Sequence, residues 1–179
     1  MTPQLFRFIS RLPKLQRPVD AQIGFCSDPY IIFSFPGPIH YLQLEFICSD
    51  LGRLFTCLAQ FCHSAPFPIH PLKSLGIYGG QFPPSPPYYE SYHRWPEILG
   101  QFPGATNLYL SKKFAPYIVH ALQALVGERV MKVLPILESI SIEEFQPSGP
   151  VHKVIEEFVA ARQLAGHPIT ISSFNYISQ

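Results

Sequence analysis

The segment PLKSLGIYG, residues 71–79, carries a spaced triplet of apolar residues that recurs along the chain. Further copies occur in PIHYLQLEF (38–46), GATNLYLSK (104–112) and PILESISIEEF (135–145). Corresponding positions Leu42, Leu75, Leu108 and Ile140 are separated by 33, 33 and 32 residues. A nearly constant period of this size indicates stacked structural repeats.

Each copy has the alternation expected of a strand, because its last two apolar residues point to one side and the residue between them to the other. Helix-like apolar stripes follow the copies, within residues 51–62, 114–126 and 151–159. Strand–helix–strand units of this kind generate parallel sheets. The predicted fold is therefore α/β: an irregular repeat solenoid with a mainly parallel, curved sheet and helices on one face.

Two further strands precede the regular copies. Residues 22–26 and 30–35 alternate suitably and are separated by the turn signal Ser27-Asp28-Pro29. They predict a strand hairpin near the N-terminus.

The chain of 179 residues suits a single repeat domain spanning 1–179. Residues 1–18 are expected to be an incomplete N-terminal repeat, and 79–95 a loop rich in proline and aromatic residues. An incomplete repeat lacks a neighbour on one side, so self-association through an uncapped N-terminal edge is expected.

Composition excludes several classes of protein. Charged residues make up 14% and the net charge is +1, so the sequence has no basic footprint for nucleic acid. The sequence contains no run of about 18 consecutive apolar residues, so it predicts no membrane span. A secretory signal is also missing, which favours an intracellular protein, cytoplasmic or nuclear, whose four cysteines are reduced.

Catalytic and metal-binding patterns are weak. Cys57, Cys62, His63 and His70 lack the short Cys-x2-Cys spacing of structural zinc sites. No nucleophile elbow, zinc-protease motif or phosphate-binding loop is found. The sequence predicts a protein that is not an enzyme and that holds no cofactor and no metal.

The outward strand positions are the candidate binding residues, because a repeat sheet presents one open surface. Alternation is expected to align Gln43, Gly76, Tyr109 and Ser141 in one outward row. The predicted partner-binding residues are Gln43, Glu45, Tyr78, Asn107, Tyr109, Ser141 and Glu143. Tyr78 and Tyr109 are expected to anchor a protein partner, since aromatic residues dominate binding hot spots.

A second partner motif lies in the proline-rich loop. Pro86, Pro87 and Tyr89 match the P-P-x-Y ligand of WW domains. The prolines favour a polyproline helix that docks on aromatic rings, so a WW-domain protein is a candidate partner. The alternative is that these aromatic residues pack on the repeats.

The triplets resemble leucine-rich repeats, although their period is longer than usual. The segment from NLYLSKKFAPYIV to AGHPITIS (107–172) resembles the C-terminal region of mushroom-type fungal F-box-like proteins. Weaker cues lie in LFRFISRLPKL (5–15), PGPIHYLQLEF (36–46) and WPEILGQF (95–102).

The resemblance implies a leucine-rich-repeat-like recognition domain whose partner is unknown. The chain shows no F-box pattern before Gln22, so docking on a ubiquitin-ligase adaptor is not implied. The alternative interpretation is a truncated gene remnant without an independent function.

Overall fold

The structure is a computed structural model that describes residues 20–25, 29–35, 42–47, 56, 60, 72–79, 95–123, 131–146, 148 and 150–175. Seven strands form one sheet in these ranges. The strands are β1 (Asp20–Phe25), β2 (Pro29–Phe35), β3 (Leu42–Ile47), β4 (Ser74–Gly79), β5 (Asn107–Leu110), β6 (Ser139–Glu143) and β7 (Thr170–Phe174). The described helices of more than one residue are α1 (Trp95–Leu99), α2 (Ala115–Gln123) and α3 (Pro150–Leu164).

The sheet is mostly parallel, with strand order β3-β2-β1-β4-β5-β6-β7. The four neighbouring pairs from β1–β4 to β6–β7 are parallel, whereas β2 pairs antiparallel with both β1 and β3. A described helix lies between each of the successive strands β4, β5, β6 and β7 along the chain. The predicted α/β class and mainly parallel sheet are therefore confirmed.

Three of the four apolar triplets occupy equivalent places in this sheet. Leu75 pairs with Leu108, and Leu108 pairs with Ile140, so the 33- and 32-residue offsets are the register offsets between strands. All nine triplet residues of these copies are buried, namely Leu72, Leu75, Ile77, Ala105, Leu108, Leu110, Leu137, Ile140 and Ile142. The period in the sequence thus reflects a spatial repeat from β4 to β6.

The first triplet does not stack in this way, and the prediction that it does is wrong. β3, which contains Leu42 and Leu44, lies at the sheet edge and runs antiparallel to β2. Two strands, β2 and β1, separate it from β4. Only residues 36–41 connect β2 to β3, and a parallel neighbour would need a crossover of about a dozen residues.

The N-terminal hairpin is confirmed. β1 and β2 pair antiparallel across the turn, with Gly24 opposite Tyr30. The ring of Tyr30 lies over Gly24, in the space that a larger side chain at this position would fill. The hairpin continues into the parallel sheet because β1 also pairs with β4.

The helices cover the face of the sheet that carries the triplets. Buried residues Ile98 and Leu99 of α1, Ile118 of α2, and Ile155 and Phe158 of α3 belong to the same apolar core as the inward strand residues. Trp95 and Phe114 pack edge to face, with ring centroids 6.5 Å apart. The core therefore lies between one sheet face and one layer of helices.

A glycine follows the last turn of α3. Gly166 has a φ of 79°, which glycine adopts without steric cost. The amide of His167 donates to the carbonyl of Arg162 at 2.9 Å, and that of Gly166 to Gln163 at 3.0 Å. This pair of hydrogen bonds is a Schellman motif, which satisfies carbonyls left without partners at the helix end.

Several sequence-based predictions fall outside the described residues. They concern the incomplete repeat at 1–18 with its uncapped edge, most of the 51–62 segment, and the proline-rich loop with Pro86, Pro87 and Tyr89. Thr56 and Gln60 are described as helical and exposed, as expected for the polar side of the 51–62 helix. Among the described helices, none is long and apolar enough to cross a membrane.

Candidate partner-binding face

The face of the sheet opposite the helices carries polar and aromatic side chains. Strand alternation brings every second residue to this face, which we call the open face. The side chains on this face whose solvent exposure the structure describes are Asp20, Gln22, Tyr30, Ile32, Ile47, Ser74, Tyr78, Asn107, Tyr109, Ser139, Ser141, Glu143, Thr170, Ser172 and Phe174. All of them are half-buried or exposed, so none of these side chains is covered completely.

Two rows of residues cross the open face from strand to strand. The first row joins Asp20, Ser74, Asn107, Ser139 and Thr170. The second row joins Gln22, Gly76, Tyr109, Ser141 and Ser172. The predicted alignment of Gly76, Tyr109 and Ser141 is therefore confirmed.

The predicted position of Gln43 in the second row is wrong. Gln43 pairs with Ser34 and so extends the first row, while Glu45 pairs with Ile32 and extends the second. The expected alignment assumed that β3 is a parallel neighbour of β4. Gln43 and Glu45 are instead separated from β4 by two strands, at the far edge of the sheet.

Side-chain hydrogen bonds order the part of the open face formed by β5, β6 and β7. Ser139 Oγ donates to Asn107 Oδ1 at 2.8 Å, and Asn107 Nδ2 donates to Thr106 Oγ1 at 3.0 Å. The hydroxyls of Ser141 and Ser172 lie 2.8 Å apart. These bonds fix the rotamers of small polar groups and so lower the entropic cost of presenting them to a partner.

Aromatic rings stand above this polar layer. Tyr109 packs edge to face on Phe174, with ring centroids 6.1 Å apart. The ring of Tyr78 leans over Gly76, because the missing side chain leaves room for it. Both tyrosines therefore border Gly76: Tyr109 is its register partner on β5, and Tyr78 lies two residues further along β4.

A depression of about 220 Å³ lies in the open face around Gly76. Its walls include Asp20, Gln22, Tyr78 and Tyr109. No other described side chain forms a hydrogen bond or ion pair with the carboxylate of Asp20. The depression thus combines one carboxylate with two aromatic rings and neutral hydrogen-bonding groups.

The carboxyl ends of β5 and β6 form a second polar region. Glu143 Oε2 accepts a hydrogen bond from the amide of Lys112 at 3.0 Å, and Lys112 Nζ lies 2.6 Å from Glu144 Oε2. The hydrogen bond to Glu144 and its negative charge raise the pKa of Lys112. Ser111, which alternation places outward, is buried, and its hydroxyl accepts from the amide of Gly79 at 3.1 Å.

The structure brings together five of the seven predicted partner-binding residues. Tyr78, Asn107, Tyr109, Ser141 and Glu143 lie on the neighbouring strands β4, β5 and β6.

Three open-face residues beside Gly76 or Tyr109 were not predicted as binding residues: Asp20, Gln22 and Phe174. Asp20 and Gln22 reach the site because β1 pairs with β4, a non-local pairing that the sequence does not signal. Phe174 shares the alternation of β7 and could have been found from the pattern in residues 170–174.

Within the described ranges, no group of three or more histidine, cysteine, aspartate or glutamate residues is placed to hold a metal ion.

Neither a search with protein-family models nor one of curated proteins finds a match for this chain.

One solved structure matches: the A domain of carboxylic acid reductase from Segniliparus rugosus, in complex with AMP and a co-purified carboxylic acid. The match has 12% sequence identity, covers 89% of this chain and 26% of that chain, and has a TM-score of 0.25. A similarity this low carries no argument about fold or activity.

Proposed function

We propose that the protein binds another protein through the open face of its sheet. The observation that supports this is the pair of strand-crossing rows, in which polar side chains and Tyr109 stay accessible while the inward residues of β4, β5 and β6 on the opposite face are buried. Sheets with one buried face and one solvated face leave the second face free for contact.

The composition of the open face suits a protein partner. Tyrosine gives a large contact area and a hydrogen-bonding group at low entropic cost, and it is enriched among binding hot spots. Tyr78 and Tyr109 are both half-buried, so their rings are already partly fixed in the free protein. Small hydroxyl and amide groups around them supply adaptable hydrogen bonds.

The finer identity is also a proposal. We infer a leucine-rich-repeat-like solenoid from the regular offsets between β4, β5 and β6, and a relationship to fungal F-box-like proteins from the sequence resemblance alone. An intracellular location and a non-enzymatic role are proposed on sequence grounds, as is a WW-domain partner for Pro86, Pro87 and Tyr89. The competing hypothesis is a gene remnant without a partner.

An affinity experiment tests the binding function. Immobilised wild-type protein and the variant Tyr109→Ala are exposed to extract of the cells that produce the protein, and bound proteins are identified by mass spectrometry. A specific partner should be retained by the wild type and reduced by Tyr109→Ala, which should cost about 1–2 kcal/mol of affinity for the purified partner.

The matched control is Lys132→Ala, since Lys132 is exposed and lies outside the open face. This variant should retain the partner fully. If all three proteins capture the same set of molecules, or capture chaperones only, the open face is not a binding surface and the remnant hypothesis gains support.

A further inference from the structure

Charge is distributed unevenly between the open face and the rest of the chain. At the open-face positions of the seven described strands, the charged residues are Asp20, Glu45 and Glu143, and no lysine or arginine occurs. The chain as a whole has a net charge of +1. The open face is therefore acidic although the protein is not, which favours a partner that presents positive charge.

The depression around Gly76 gives this preference a location. Asp20 supplies a carboxylate on one side, and the rings of Tyr78 and Tyr109 form other parts of the wall. Gly76 itself is buried because the ring of Tyr78 lies over it, so this ring forms the floor of the depression beside Tyr109. The volume of about 220 Å³ suits one long side chain.

We propose that the depression binds an arginine side chain of the protein partner, with the guanidinium between the rings of Tyr78 and Tyr109 and paired with Asp20. This inference rests on the proposed binding function and specifies its chemistry. A guanidinium stacks on aromatic faces and carries five donors. Gln22 and Ser74 line the same depression with amide and hydroxyl oxygens that can accept the remaining donors.

Other ligand chemistries fit less well. An anion would meet the Asp20 carboxylate with no described basic residue among the lining groups. An apolar side chain would remove water from Asp20, Gln22 and Ser74 without replacing their hydrogen bonds. Lysine could pair with Asp20, but its ammonium offers fewer donors and does not stack as a plane.

A peptide selection on the full chain tests the proposal. A random 12-residue phage-displayed library is panned against the wild-type protein, and the enriched peptide is synthesised with a fluorescent label. We expect arginine to be enriched, and replacement of one arginine by glutamine to weaken binding at least tenfold in fluorescence anisotropy. The same replacement of arginine by glutamine should cost less affinity for Asp20→Asn than for the wild type, because the carboxylate that pairs with the guanidinium is already absent.

Two variants make the test specific. Glu156→Gln removes an equal charge from the exposed side of α3 and should leave the affinity within twofold of wild type. Gly76→Ala places a methyl group where the Tyr78 ring lies, so the ring must move. This variant should weaken binding of the arginine peptide at least fivefold. Thermal melting should show that the variant stays folded.

The outcomes separate this inference from the proposed function. Enriched peptides without arginine that still depend on Tyr109 would overturn the inference and leave protein binding intact. Equal losses in Asp20→Asn and Glu156→Gln would also overturn it, since they indicate general attraction. Failure to enrich any peptide, or binding that Tyr109→Ala leaves unchanged, would count against both.

Discussion

Arg162 Nη2 donates a hydrogen bond to the carbonyl oxygen of Leu137 at 2.9 Å, joining α3 to the segment that enters β6. The same guanidinium reaches the carbonyls of Pro135 at 3.2 Å and Leu134 at 3.3 Å. Arg162 is completely buried, and burial lowers its pKa. Because arginine stays protonated in proteins, a buried cation here fixes three backbone acceptors at once.

The first prediction concerns this contact. Arg162→Met keeps much of the side-chain volume but removes every donor, and a buried acceptor left unpaired costs about 1–3 kcal/mol. Methionine also avoids the free-energy cost of burying a charge, which offsets part of that loss. We expect the free energy of unfolding in urea to fall by about 2–4 kcal/mol. Lys153→Met, on the exposed side of α3, should change it by less than about 0.5 kcal/mol.

The second prediction tests the strand register. Leu108 is fully buried between its register neighbours Leu75 and Ile140. Leu108→Ala should lower the free energy of unfolding by roughly 2–5 kcal/mol, because it leaves a cavity in the core. Thermal and urea unfolding measure the effect. Lys132→Ala is the exposed control, and a Leu108→Ala variant as stable as this control would contradict the register.

The parallel part of the fold could be predicted because its information is local and repeated. Leu75, Leu108 and Ile140 follow one strand pattern at nearly equal offsets, and each strand pairs with the next. The N-terminal hairpin could also be predicted from the sequence, because only a short turn separates its two strands. The outward residues Tyr78 and Tyr109 followed directly from this alternation.

The remaining features depend on distant parts of the chain. The pairing of β1 with β4 brings Asp20 beside Ser74, across 54 residues, and no pattern in either strand specifies it. The antiparallel direction of β3 did have a signal, since residues 36–41 are too few for a crossover. The burial of Arg162 also had a signal in the sequence. Arg162 continues the helical spacing of Ile155 and Phe158 and therefore lies on the buried side of α3.

The third prediction concerns the end of α3. Gly166 has a φ of 79°, where a Cβ atom costs about 1–2 kcal/mol. Gly166→Ala should therefore lower the free energy of unfolding by about 1 kcal/mol. Gly166→Asn is the matched control, because asparagine adopts this conformation more readily and should lose less. Equal stability of the alanine variant and the wild type would show that the helix does not end in this conformation.

The fourth prediction concerns the alkaline titration of Lys112. Its Nζ lies 2.6 Å from Glu144 Oε2, and the hydrogen bond and the charge of Glu144 raise the pKa of Lys112. Because the folded-state pKa is raised, the interaction stabilises the fold in full below the unfolded-state pKa. That contribution is lost as the pH rises through the folded-state pKa. Neutral pH therefore leaves the pair intact.

Glu144→Gln should lower the pKa of Lys112, measured by NMR detection of the lysine side chain across the alkaline range. Glu156→Gln, which removes a carboxylate from α3, should leave the same titration in place. Both side chains of the pair are exposed, so added salt should also reduce the shift in the wild-type protein. A Lys112 titration that is identical in wild type and Glu144→Gln would show that the ion pair does not persist in solution. The hydrogen bond from the Lys112 amide to Glu143 would then remain as the described side-chain contact between the carboxyl ends of the paired strands β5 and β6.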